Sequence, residues 1–168
     1  MLVLPEPEDS FDEKLISNIR EYGWSFVQVA DEHHPEHAEK NAALGPHPVY
    51  DATFAYTAGL WQTMSHPELV IVGRWTHAHA IVDATVTLIR DGRVFTGSEI
   101  SDDILDGYSM RFEAVGPEER DELLTYASWA NLRKPFEALQ LVLPDADGRW
   151  PSDDGYSACP QPLLGRDS

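Results

Sequence analysis

The stretch FAYTAGLWQTMSHPELVIVG, Phe54 to Gly73, constrains the fold more than any other part of the chain. Its second half, ELVIVG, is apolar without alternation, which suits a strand covered on both faces. Its first half, Phe54 to Ala58, reads as another strand, ended by Gly59. A short connection between them closes on His66-Pro67-Glu68. Pro67 lacks an N–H and pushes His66 toward extended backbone, so this corner suits the start of a strand.

The rest of the chain supplies helices and further strands. Ser10 begins a capping box with Glu13, and Phe11, Leu15, Ile16 and Ile19 recur at helical spacing up to Gly23. Trp24 to Ala30 alternates as a first strand. Thr76 is placed to cap a second helix, with Ile81, Val82, Thr85, Leu88 and Ile89 on one face and Asp91-Gly92 at its end. Val94 to Thr96 reads as a short strand, SEISDDILDG as an acidic surface loop, and Tyr108 to Ala114 as a half-buried strand. Gly116-Pro117 opens a third helix with acid in its first turn. Phe136 to Leu143 reads as the last strand. The expected fold is α+β: a mixed or largely antiparallel sheet of about five to six strands, with three helices packed on it. Residues 1–168 read as one domain, with a His-rich connection at 31–51 and an acidic tail containing Pro and Gly at 145–168.

Charge narrows the function. Twelve Lys and Arg oppose 29 Asp and Glu, a formal net charge of −17. Nucleic-acid binding through phosphate contacts needs a basic footprint, and an anionic membrane repels such a chain. A basic protein partner would be attracted, although the same acidity also serves solubility alone. The N-terminus does not resemble a signal peptide and no apolar run spans a bilayer, so a cytoplasmic protein is expected, monomer or homodimer. Cys159 is the only cysteine, which excludes an intramolecular disulfide and a thiolate metal cluster.

The residues that could carry chemistry gather at the corner. His66 can serve as base or metal ligand with Glu68 beside it, two positions along and on the same face of a strand. Tyr56 and Thr57 could add hydroxyls, and Gln140 is an amide within the most hydrophobic strand, in need of partners. Asp145 belongs to an acidic turn that could hold a cation, though turn chemistry explains it equally. The alternative for the corner is purely structural, with His66 and Glu68 fixing the turn through backbone hydrogen bonds. His33, His37 and His47 are weak candidates for metal ligation in a loop where Pro35 argues against a helix. His77 and His79 read as surface or partial packing. No phosphate-binding glycine loop, dinucleotide fingerprint or nucleophile elbow occurs. Cofactors are left open.

The motifs YGW (Tyr22 to Trp24), FAYTAGL, HPELVIVG and LQLVLPDADGRWP, in this order, resemble the bacterial family called domain of unknown function 4262. The resemblance spans roughly Ile19 to Gly155. It implies that Tyr56, Thr57, Gly59, His66, Pro67, Glu68, Gln140, Pro144 and Asp145 are shared positions, and it supplies no activity. This chain departs from the pattern at Ser152, where an aromatic residue is common. A fainter likeness, in the Gly-Leu and Pro-Glu-Leu pattern, is to suppressor-of-fused modules, some of which look like immunity proteins. The reading favoured is a binding or regulatory domain, of immunity type or otherwise, that recognises a basic macromolecular partner. The alternative is a small-molecule or metal-dependent enzyme around His66 and Glu68.

Overall fold

A computed structural model of the protein describes residues 2–29, 54–73, 77–158 and 161–165. The elements run α1 (Ser10–Tyr22), β1 (Ser25–Val29), β2 (Phe54–Ala58), α2 (Leu60–Thr63), β3 (Glu68–Val72), α3 (Ala78–Arg90), β4 (Ile100–Leu105), β5 (Tyr108–Ala114), α4 (Pro117–Leu123), α5 (Thr125–Ala130) and β6 (Ala138–Val142). One six-stranded sheet has the order β1-β2-β3-β6-β5-β4. Its neighbours are antiparallel except β3 and β6, which run parallel with Glu68 opposite Ala138. The fold is therefore α+β with a mixed sheet.

Helices cover both faces, which is why β2, β3 and β6 are buried at every position. On one side Leu15 and Ile19 of α1, with Leu123, Ala127 and Ala130 of the α4–α5 pair, pack on Val27, Tyr56, Val70 and Val72. On the other, Val82, Val86 and Ile89 of α3 and the loop residue Phe95 pack on Leu69, Ile71, Met110 and Leu141. Consecutive apolar residues in β3 thus serve two cores at once. Among the described residues no helix is long and apolar enough to cross a membrane.

Several local expectations change. Asp9, not Ser10, caps α1: its carboxylate accepts the Asp12 N–H at 2.8 Å, and Asp12 accepts the Glu8 N–H at 3.0 Å. A carboxylate one residue upstream suits the positive helix end better than the serine hydroxyl. Gly23 ends α1 in the left-handed conformation as expected, donating to the Ile19 carbonyl. Residues 100–105 form edge strand β4 rather than a loop, because pairing with β5 overrides their acidic composition. Val94 to Thr96 is not a strand. The third helix divides at Leu124, and α2 adds a short turn, giving five helices among the described residues where three were expected. The region expected to be the His-rich connection, the Thr76 cap and Cys159 lie outside the described residues.

Candidate functional site

The corner is built from two buried side chains that turn to different layers. Ser65 precedes it with φ 52°. His66, 1% exposed, has Nδ1 2.9 Å from the Pro67 carbonyl and Nε2 accepting the Phe95 N–H at 3.0 Å. That pattern fixes a neutral ring with the proton on Nδ1. Burial holds its pKa below the ordinary histidine value, against the Pro67 carbonyl and the Glu99 charge, which both favour the cation. Its ring meets Phe95 edge-on at 6.1 Å, on the α3 side.

Glu68 faces the other way and caps α2. Its carboxylate accepts the Thr57 hydroxyl at 2.8 Å and the N–H groups of Gly59, Leu60 and Trp61 at 3.1 Å each, with the Asn131 amide at 3.5 Å. These N–H groups are the otherwise unbonded donors of a helix start. Thr57 completes the joint by accepting the Leu69 N–H at 2.9 Å. Burial pushes the Glu68 carboxyl up to about 7, although the donors around it favour its charged form. The expectation that His66 and Glu68 share a face fails. The residue between them is a proline just outside the strand, and the two side chains diverge to Phe95 and to Asn131.

The other candidates are equally engaged. The Tyr56 hydroxyl accepts the Tyr126 N–H at 3.0 Å, and burial drives its phenol well above the usual tyrosine range. Gln140 donates to the Pro162 carbonyl and accepts the Leu164 N–H, both at 2.9 Å, so it fastens the C-terminal segment. Asp145 accepts the N–H groups of Asp147 and Arg149 at 3.0 and 2.8 Å, the Arg149 guanidinium at 2.9 Å and the Ser157 N–H at 3.1 Å. Its surroundings are sheltered enough to penalise charge, yet the donors from Arg149, Ser157 and Asp147 outweigh this and bring its pKa down to about 2. Tyr56, Thr57 and Glu68 thus meet at the β2–β3 end, whereas His66, Gln140 and Asp145 serve three separate joints. Among the described residues no group of three or more His, Cys, Asp or Glu is placed to hold a metal ion. His33, His37 and His47 are outside them.

A groove of about 530 Å³ does lie beside the corner. Ser65 and Pro67 line it, but neither His66 nor Glu68 does. Trp61 and Phe136 form its walls, and Arg120 stands over the Phe136 ring at 5.1 Å while pairing with Asp121 at 2.9 Å. Two features lay only partly within the sequence reading. His79, read as surface or partial packing, is exposed and also stacks on Trp24 and meets Phe26 edge-on. The acidic run 100–106 forms a sheet edge, and the Tyr108 hydroxyl ties it to the turn after β6 by donating to the Ala146 carbonyl at 2.9 Å. The alternation of Trp24 and Phe26 was the one available signal for the first. The second had none, because its partner lies 38 residues away.

Residues 18–157 match the family described as Domain of unknown function (DUF4262). No curated protein and no solved structure matches the chain. The fainter likeness to suppressor-of-fused modules is carried by no match.

Proposed function

The chain belongs to the DUF4262 family, and we propose that it is a binding module that docks a basic, extended segment of a partner protein along the outer edge of β4, an edge that pairs with no described strand. The observation that carries this reading is the joining of an acidic sheet edge to an acidic turn. β4 ends the sheet, Asp102 and Asp103 on it and Asp106 beyond it are exposed, and Tyr108 holds the edge against the turn that carries Asp147. Ile100, 57% exposed, adds an apolar contact at the start of the strand. An added strand takes its affinity from main-chain hydrogen bonds and its selectivity from side chains, here chiefly Asp102 and Asp106 facing Lys or Arg, since Asp103 already pairs with Arg93 at 2.8 Å and Asp147 with Arg149 at 2.9 Å. A regulatory or immunity-type role would use this surface to cover a basic partner. The same acids oppose each other when two copies meet edge to edge at β4, so this edge does not favour a homodimer.

The enzyme reading around His66 and Glu68 has less support, because both side chains are buried, divergent and hydrogen-bonded within the fold. The test is titration with a lysine–valine alternating peptide at 50 and 300 mM salt, followed by amide NMR. Binding that slows exchange of the β4 amides, weakens with salt and is lost in Asp102→Lys/Asp103→Lys supports the proposal. Absence of binding at low salt, or binding indifferent to the charge reversal, overturns it.

A further inference from the structure

At the opposite edge of the sheet, a cavity of about 500 Å³ opens between the end of α1, β1 and α3. That size lies within the range of small-molecule sites, which are mostly apolar with a few placed polar groups. Its walls are aromatic. Trp24, just before β1, and Phe26, within it, both meet the His79 ring, at 6.0 and 4.8 Å between centroids. Tyr22 closes the α1 side.

The polar groups divide into engaged and unengaged ones. Arg90 donates to the Tyr22 carbonyl at 2.6 Å, pinning the end of α3 to the end of α1. Asn18 donates to the Ser25 hydroxyl at 3.1 Å. Asp83, one turn beyond His79 on the same face of α3, lines the cavity. Its carboxylate has no ion pair or hydrogen bond to any described residue. Three aromatic side chains and one exposed, unpaired carboxylate line the same cavity, in a chain of net charge −17, and make a setting for positive charge: aromatic rings attract a cation and the carboxylate pairs with it. The geometry points to a binding site for a small organic cation, an alkylated amine or quaternary ammonium, held by Asp83 against Trp24 and Phe26. This site is independent of the β4 edge.

Choline is a suitable probe, with uncharged 3,3-dimethyl-1-butanol as its isostere and acetate as an anion for Arg90, each followed at the Trp24 indole N–H by NMR. The expected result is saturable binding of choline alone, weakened about tenfold or more by Asp83→Asn and by Phe26→Ala. Asp154→Asn removes the same charge from an exposed position that lines neither this cavity nor the β4 edge and should leave the affinity unchanged, which separates a local site from general attraction. No saturation with choline up to 20 mM (about the weakest binding worth the name), equal binding of the neutral isostere, preference for acetate, or equal effects of the two Asp→Asn changes would each overturn the assignment.

Discussion

Gln140 and Gln161 perform the same task in opposite directions. Gln140, in β6, bonds the backbone of the C-terminal segment at Pro162 and Leu164. Gln161, in that segment, accepts the Leu143 N–H at 2.9 Å and donates to the Leu143 carbonyl at 2.7 Å. Each side-chain amide stands in for a peptide group, continuing a ladder where no strand is present. Leu164, 1% exposed, is thereby set into the core under α1 and α5.

Either Gln→Ala change should leave a buried donor and acceptor unmet, at about 1–3 kcal/mol. The two share one joint, so the double variant should cost less than the sum of the singles in urea unfolding. Gly165→Ala provides a second route to the same release, because an added Cβ would lie 1.8 Å from the Ala114 carbonyl oxygen. All four variants should be cut by protease near residues 158–165 sooner than the wild type.

Glu68→Gln is expected to be costly despite its shape, since the new NH2 must face N–H and O–H donors. About 1–3 kcal/mol is expected. Its pH dependence has a definite sign. The folded value, about 7, lies above the ordinary 4.5, so the native state binds the proton more tightly than the unfolded chain. This contribution is complete below the ordinary value and is lost as pH rises through about 7. The wild-type curve should therefore fall relative to Glu68→Gln across that window, by at most about 1.4 kcal/mol per pH unit. Urea titrations of both proteins from pH 4.5 to 8 measure the difference.

Asp145 has the opposite sign. Its folded value is about 2, below the ordinary 3.8, so its contribution is present above the ordinary value and disappears as pH falls through about 2. Asp145→Asn should be less stable than the wild type at pH 7, and the gap should close under acid. Thermal melts by near-ultraviolet circular dichroism at pH 7, 4 and 2.5 follow this convergence.

Gly59 should tolerate no side chain. It has φ +113°, and an added Cβ would lie 2.9 Å from Ile19 Cγ1 and 3.1 Å from the Gly23 carbonyl oxygen. Gly59→Ala combines backbone strain with overpacking against α1 and should cost about 2–4 kcal/mol. A change at Gly92, which also has positive φ but open space around it, separates the two causes: Gly92→Ala should show the strain alone.

What the sequence disclosed followed the range of the forces involved. Continuous apolar runs marked β3 and β6 because covering both faces of a strand leaves an unmistakable composition. Gly23 announced the end of α1 because a left-handed residue there is a local requirement. The start of α2 was hidden, since its cap is Glu68, in the following strand. The acids of β4 concealed a strand whose formation depends on pairing with β5. At the candidate site, the right residues stood out for a reason other than chemistry. Buried polar groups must be bonded, and such joints are as distinctive in sequence as an active centre. The cavity around Trp24 and Asp83 joins three elements, and no single stretch contains it.

The parallel pairing of β3 with β6 sets an order on synthesis. Glu68 and Ala138 are 70 positions apart, whereas β1, β2 and β3 form a run of antiparallel neighbours. Closing so long a loop is slow compared with antiparallel pairing of near neighbours. A growing chain therefore carries β3, apolar on both faces, with one backbone edge bare until β6 has left the ribosome. During that interval the nascent protein, rather than the finished one, is the species most in need of a chaperone.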